Sequence, residues 1–366
     1  MVIGIDASRA FLPKRTGIEE YSYQVIKHLR KDLENSQVIL YIRNNQEIDF
    51  KLPSSWRIKV INFPYLWTQI GLSLEMLFNP VDALFVPAHT VPCVHPKNTI
   101  VTIHGLEYEF CPEAYSWWEK FYMRWSIKKS CAWASRIAAV SENTKKDLMR
   151  LYNVPEERME VVYEGYDIGK PKIHPPAGGP KPKASLDDQI SKPYLLFIGR
   201  LEERKNIIGI IKTFEILKEH YKIPHKLVLA GKFGYGAEKI KAELQNTNCQ
   251  KDIILPGFVR DEDKFALIKG ADVFLFPTFY EGFGIPVLES QSVGVPVVAG
   301  NNSSIPEAAD GSAILVDPMN AEAIADATFG LINDKNMRDD IIAKGYSNVK
   351  RFSWEKCAHE IAVLLG

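Results

Sequence analysis

The chain has 366 residues, 46% of them apolar and 25% charged, with 45 basic and 45 acidic side chains that cancel. This balance excludes a disordered chain, a collagen-like rod and a small disulfide-stapled scaffold. It also speaks against a dedicated nucleic-acid coat, which would carry a basic excess, so no nucleic-acid partner is expected.

At this length two ordinary domains are favoured over one. Short apolar runs alternate with helix-period segments from end to end. In the first half the runs are Val2–Ile5, Val38–Ile42, Ile58–Ile61, Ala83–Val86, Ile100–Ile103, Ile137–Val140 and Val161–Tyr163. Several are apolar at consecutive positions, as strands buried on both faces of a parallel sheet are. The amphipathic stretch Ile18–Leu33 predicts a crossover helix after the first strand. A second helix is predicted over Glu113–Arg136. The stretch from Asp167 to Pro193 holds six prolines and two adjacent glycines, with no apolar periodicity, and predicts an extended linker. The rhythm then restarts with strands at Tyr194–Ile198, Leu227–Ala230, Ile253–Leu255, Val273–Phe276, Val295–Ala299 and Ala313–Val316. Helices fall between them, as at Ile207–His220 and Asp261–Lys269. Phe352–Leu365 predicts a last helix capped by Ser353.

The reading is α/β, with two Rossmann-like, doubly wound domains: residues 1–166, a Pro-rich linker 167–193, and residues 194–350, followed by a C-terminal helix at 351–366. Ligands of such sheets bind at the carboxyl ends of the strands. The five cysteines are scattered and show no zinc or redox spacing, so reduced thiols in a cytoplasmic protein are expected. The N-terminus lacks the pattern of a signal peptide, and no run reaches the roughly 18 apolar residues of a membrane span.

The segment PTFYEGFGIPVLESQSVG, Pro277–Gly294, begins where a strand ends. Gly282 and Gly284 permit a tight turn, and Pro286 suits the first turn of a helix. A strand, a glycine-bearing turn and a helix N-terminus make an anion site, with free amides near Gly284 and Ile285. Glu281 and Glu289 flank it. Carboxylates there suit sugar hydroxyls, since two oxygens can accept from both hydroxyls of a diol; solvated surface charges are the plainer alternative. The segment FIGRLEERKN brings Arg200 and Lys205 to the end of the strand Tyr194–Ile198. Arg grips phosphate as a fork and Lys as a point charge. The plainer alternative pairs them with Glu202 and Glu203.

Together these segments resemble the retaining nucleotide-sugar glycosyltransferases of GT-B fold, glycosyltransferase family four, over nearly the whole chain. The E-x7-E motif stands as Glu281 through Glu289, and VPVVAGNNSSIPEA (Val295–Ala308) continues the family pattern. The resemblance implies two domains facing across a cleft, with the last helix crossing back to the N-terminal domain. It implies that Glu289 binds ribose hydroxyls and Glu281 the donor sugar. Arg200, Lys205 and the amides of Gly282, Phe283, Gly284 and Ile285 would hold the diphosphate. The base would rest near Gly231 and Val259. In the N-terminal domain Gly17 matches the glycine that approaches the donor, with a plain turn glycine as the alternative. His104 matches the histidine beside the reacting sugar, although Gly105 follows where many members have Asp. Catalytic roles fall to Glu281, His104, Arg200 and Lys205.

No metal-ligand spacing is seen, and the basic pair answers the diphosphate charge, so metal-independent transfer without a cofactor is expected. The donor is a nucleotide-sugar, with GDP-mannose taken first because TGIEEYSYQVIKHL resembles mannosyl- and rhamnosyl-adding relatives, and UDP-sugars next. The acceptor would be a glycan or lipid-linked hydroxyl, as in surface polysaccharide synthesis. Trp117, Trp118 and Trp125 with Lys128 and Lys129 suit a lipid headgroup surface, or else the aromatics fill the domain core. A nucleotide-sugar epimerase of the same fold, or a catalytically silent sugar-nucleotide-binding partner, are the other readings.

Overall fold

The computed structural model describes residues 1–166, 190 and 192–366. The chain divides into two compact units, Met1–Gly165 with Phe352–Gly366, and Tyr166–Arg351. Of the linker expected over 167–193, all but residues 190, 192 and 193 lies outside the described residues.

Unit 1 is built on a parallel sheet of seven strands: β1 (Val2–Asp6), β2 (Gln37–Arg43), β3 (Trp56–Ile61), β4 (Ala83–Val86), β5 (Asn98–Ile103), β6 (Arg136–Ala139) and β7 (Met159–Val161). Their order is β3-β2-β1-β4-β5-β6-β7, with each neighbour parallel. The central strands are buried along almost their whole length, which is why they read as unbroken apolar runs. The helices are α1 (Gly17–Asp32), α2 (Ser73–Phe78), α3 (Glu107–Phe110), α4 (Trp117–Trp133) and α5 (Glu142–Tyr152). A π-helical turn, Trp67–Leu72, leads into α2.

Local chemistry sets the boundaries. At the head of α1, Glu19 accepts from the Thr16 backbone N–H at 3.2 Å. The helix expected over Glu113–Arg136 is shorter at both ends. Ser116 caps it and pairs with Glu119 in a capping box, so it starts at Trp117, while Arg136 already belongs to β6. β7 lies two residues earlier than the run Val161–Tyr163, ending at Val161.

Unit 2 carries a parallel sheet of six strands: β8 (Tyr194–Ile198), β9 (Lys226–Ala230), β10 (Ile253–Gly257), β11 (Val273–Phe276), β12 (Val297–Gly300) and β13 (Ile314–Val316), in the order β10-β9-β8-β11-β12-β13. β12 starts after Pro296, which has no N–H for the ladder, rather than at Val295. Its helices are α6 (Ile207–Glu219), α7 (Ala237–Asn246), α8 (Asp261–Lys269), α9 (Ile285–Ser292), α10 (Ile305–Ala309), α11 (Ala321–Asn333) and α12 (Lys335–Asn348).

The last helix, α13 (Trp354–Leu365), belongs to unit 1. Ser353 caps it by accepting from Lys356 N–H at 3.1 Å. Trp354, Cys357, Ala358, Ile361 and Leu365 join the cluster formed by β1, β2 and α1. Among the described residues, no helix is long and apolar enough to cross a membrane.

Candidate active site

In unit 2 the loops that leave β8, β9, β10 and β11 all lie at the carboxyl edge of the sheet, where doubly wound folds place ligands. Strand ends there approach closely. The Gly199 N–H donates to Ala230 O at 3.0 Å, and the Gly231 N–H to Gly257 O at 2.8 Å.

After β8, Glu203–Lys205 form one 3-10 turn and Asn206, at φ 56°, starts α6. The buried Asn206 side chain donates to Pro277 O at 3.0 Å and Pro318 O at 2.6 Å, and accepts from Gly209 N–H. One amide thereby fastens the basic loop after β8 to the glycine turn after β11. That turn is fixed from its other side by the loop after β12. Ser303 accepts from Glu281 N–H at 3.0 Å, while Ser304 donates to Glu281 O and Phe283 O at 2.9 and 2.8 Å. Gly284, at φ +114°, then opens α9, with Pro286 in its first turn. Within that first turn the Val287 N–H reaches back to Gly284 O at 3.0 Å, and Pro286 has no N–H to donate.

Glu281 and Glu289 are each only 9% exposed, so neither is a solvated surface charge. Glu281 is paired with Lys205, and the Arg204 guanidinium lies 3.4 Å from it. Arg204 also donates to Tyr280 O at 2.7 Å and to Glu202 at 3.0 Å. Burial pushes the Glu281 carboxyl up, but Lys205 and Arg204 together outweigh it and hold it below the ordinary glutamate range. Burial likewise lowers the Lys205 ammonium, offset in part by Glu281. Glu289, on α9, is paired with Lys264 of α8.

The expected residues therefore divide. Lys205 and Glu281 meet; Glu289 stands one and a half turns further along α9. Arg200 is exposed and reaches neither carboxylate. Arg204, Asn206 and Lys264 touch these groups and were not singled out by the sequence. Arg204 lay inside the quoted basic segment, but nothing in its spacing separates it from Arg200. Lys264 lies in the helix expected over Asp261–Lys269, and nothing in the sequence links it to Glu289. Gly231 and the half-buried Val259 sit at the ends of β9 and β10.

In unit 1, Gly17 is the first residue of α1 and is exposed, with no atom within 4 Å of where a Cβ would stand. His104 follows β5 and is largely buried. Its Nδ1 lies 3.0 Å from Glu164 and its Nε2 2.8 Å from Pro87 O, so both ring nitrogens are engaged. Tyr21 meets the ring edge-on at 4.5 Å, and the His89 ring lies 5.2 Å away. Burial, with His104 and Arg9 nearby, holds His89 well below the usual histidine range.

Trp133, at the end of α4, packs against the core, but the aromatics before it do not fill it. Trp117, Trp118 and Phe121 are 64%, 70% and 56% exposed, and Tyr122 and Trp125 are exposed as well. At about 100° per residue these five, with the exposed Lys128 and Lys129, occupy an arc of about 140°. The opposite side buries Ser126, Ile127, Ser130 and Cys131.

Comparison with known proteins follows the same division. The model for Glycosyltransferase Family 4 matches residues 15–170, and the model for Glycosyl transferases group 1 matches residues 182–348. The chain is 30% identical over 261 residues to O-antigen chain mannosyltransferase B of Escherichia coli, covering 71% of this chain and 68% of that one. It is 26% identical over 363 residues to an uncharacterized glycosyltransferase of Methanocaldococcus jannaschii, covering 87% and 89%. Among solved structures, sucrose-phosphate synthase from Thermosynechococcus elongatus matches with a TM-score of 0.74 at 17% identity, over 99% and 98% of the two chains. The Anabaena protein HepE, solved with UDP and glucose, matches with a TM-score of 0.69 at 15% identity, again over 99% and 98%. The chain belongs to the glycosyltransferases of family 4, group 1, and has their GT-B fold.

Proposed function

We propose that this family 4 glycosyltransferase moves mannose from GDP-mannose to a hydroxyl of a glycan or lipid-linked acceptor, with retention of configuration, in surface polysaccharide synthesis. The observation that carries the reading is the buried cluster of Lys205, Arg204 and Glu281 beside the N-terminus of α9. A buried ion cluster at the carboxyl edge of a parallel sheet is costly for stability and suited to a charged ligand. The mannosyltransferase relative supports the choice of sugar.

Each group has a task. Lys205 and Arg200 meet the diphosphate, joined by the amides of Gly282–Ile285, where a helix N-terminus favours negative charge. As the anomeric bond breaks, charge grows on the departing diphosphate. These cations and amides are already in place to stabilise it, which is the form of catalysis that needs no reorganisation. The reading therefore requires no metal. Glu289 accepts from the ribose hydroxyls and Glu281 from the donor sugar. Lys264 and Arg204 hold those two carboxylates before the donor arrives. In unit 1, Gly17 and His104 meet the phosphates and the sugar. Attack by the acceptor hydroxyl then forms the new anomeric bond while the bond to the nucleoside diphosphate breaks, and the departing diphosphate takes up the hydroxyl's proton. The aromatic arc of α4, with Lys128 and Lys129, would rest on a lipid surface at the inner face of a membrane and bring a lipid-linked acceptor within reach.

A thermal-shift panel of GDP, UDP, dTDP, ADP and their sugars tests the donor. A ligand at a hundred times its Kd stabilises by about 2.7 kcal/mol. The expected result is a shift with GDP and GDP-mannose that weakens in Arg200→Ala. A shift confined to UDP-sugars would overturn the choice of donor, and no shift with any nucleotide would overturn the transferase reading itself.

A further inference from the structure

Unit 1 surrounds His104 with more structure than a sugar contact needs. Pro87 O, at the end of β4, lies 2.8 Å from Nε2, and a Glu164 oxygen lies 3.0 Å from Nδ1. The Glu164 side chain is only 12% exposed. Both partners accept when Glu164 is ionised, so only a ring protonated on both nitrogens donates to both. Tyr21 closes one side of the ring at 4.5 Å and is itself tied to Thr102 at 3.2 Å. His89 closes another, from a backbone turned to φ +38°. A non-glycine residue held there is strained, and such strain persists where the surroundings over-determine it.

Glu164 comes from an informative place. It follows β7 and is the last residue but one before the chain leaves unit 1 at Gly165. That exit segment is packed on the segment where the chain returns. Tyr163 meets Phe352 edge-on at 5.7 Å. Gly165 lies so close to the returning backbone that a Cβ would stand 2.3 Å from Trp354 N. Trp354 in turn packs its ring against Tyr21 at 5.9 Å. The exit and return segments, α1 and the His104 ring thus form one contiguous packed set.

We propose that Glu164 is the positioning residue for His104, and that through it the exit segment of unit 1 sets the orientation of the ring. Held at Nδ1, the ring can exchange its Nε2–H between Pro87 O and a donor hydroxyl without turning over. Without Glu164 an imidazole has two orientations and two tautomers to choose from. Partners that fix metal-ligating histidines through the second nitrogen are worth about 10–100-fold, and an effect of the same order is expected for this ring. The kinetic consequence rests on the transferase reading; the ring geometry does not.

The test uses the full chain and has two arms. Nitrogen NMR of the imidazoles, with no nucleotide present, is expected to show a protonated Nδ1 on His104 hydrogen-bonded in the wild type, and that signature lost in Glu164→Ala. An unchanged His104 ring in Glu164→Ala would overturn the proposal whatever the reaction proves to be. The second arm measures turnover of whichever nucleotide-sugar the wild type uses. Glu164→Ala is expected to lower kcat by about 10–100-fold with the KM for donor little changed. Glu164→Gln, whose side-chain oxygen still accepts from Nδ1–H, is expected to recover most of that loss. In a His104→Ala background, Glu164→Ala is expected to cost nothing more, because the two act as one unit. Losses that multiply in the double variant would mean that Glu164 supports the exit segment alone, and would sink the proposal. A wild type that turns over no nucleotide-sugar would defeat the transferase reading and leave the NMR arm to decide this one.

Discussion

Unit 2 holds two glutamates at 9% exposure next to lysines, while unit 1 leaves Trp118 on α4 70% exposed. Each half departs from the ordinary burial of residue types, in opposite directions. Buried carboxylates must be matched by cations already in place, and they are: Lys205 and Arg204 for Glu281, Lys264 for Glu289. Exposed tryptophans need a helix that cannot roll them inward, and α4 is fastened on several sides. Arg124 donates to Glu109 at 2.6 Å, Ser130 accepts from Val91 N–H at 2.8 Å, and Arg158 donates to Cys131 O at 2.6 Å at the helix end. The contrast teaches that one unit keeps matched charges inside while the other holds large apolar rings at its surface. Neither arrangement is what stability alone would select.

The largest expected effect breaks the buried side of this contrast. Glu281→Ala leaves Lys205 and Arg204 without their counter-charge. Losing one partner of a buried pair costs about 3–5 kcal/mol, or a fall in Tm of roughly 6–20 °C at this size. Transfer should fall by at least about a hundredfold if Glu281 contacts the reacting sugar. GDP should raise the Tm of the variant at least as much as that of the wild type, because the diphosphate offers both cations a new partner. A Tm within about 1 °C of wild type would show that the cluster is not the costly arrangement inferred. The pH dependence has a defined sign. The folded-state carboxyl of Glu281 lies below its ordinary value of 4.5. Its contribution is therefore present above 4.5 and is lost as the pH falls through the lowered value. Glu281→Gln removes that loss, so wild type and variant should converge in stability on acidification.

Glu289→Ala comes next. If Glu289 accepts from the ribose, losing that charged acceptor costs about 1.5–3 kcal/mol of donor affinity, about tenfold or more in Kd. Isothermal titration with the free nucleoside diphosphate reads it. An unchanged Kd would place the ribose elsewhere.

The exposed side of the contrast is sharpened on α4. Lys128→Ser with Lys129→Ser should weaken sedimentation with anionic vesicles by about 1 kcal/mol per lysine. Trp117→Ser with Trp118→Ser should abolish sedimentation while leaving the Tm unchanged. A fall in Tm instead would mean that these rings contribute to folding. Equal sedimentation of wild type and both variants would remove the lipid surface as the partner.

The extent to which the sequence foretold all this differs by feature. The sheets were legible because parallel strands buried on both faces are written as continuous apolar runs, as in Ile100–Ile103 or Val273–Phe276. The turn Glu281–Ile285 was legible because glycines and Pro286 announce a strand-to-helix corner. What was not legible is partnership across the fold. Lys264 and Glu289 are 25 residues apart and meet only because α8 and α9 are neighbours. His104 and Glu164 are separated by 60 residues and meet only because β5 and β7 flank β6. The orientation of α4 was undecided for a related reason. An arc of aromatics is the same string whether it faces core or solvent; here Ile127, Ser130 and Cys131 claimed the buried side.

The smallest stability effect separates two glycines that the sequence put forward together. Gly231 has φ +150°, and a Cβ there would stand 1.7 Å from Gly199 O. Its identity is explained by the close approach of two strand ends, and any side chain would force them apart. Gly17 has no such reason. It is the first residue of a helix and has open space where a Cβ would go. Gly17→Ala should therefore leave unit 1 folded and even raise stability, by about 0.4–1 kcal/mol, by restricting the unfolded chain. If the space is kept for the donor, the same variant should lose turnover while its Tm holds or rises. A glycine retained at the expense of stability is explained only by something that enters the space. An alanine variant with full turnover would return Gly17 to an ordinary helix start and leave His104 as the unit 1 residue proposed to meet the sugar.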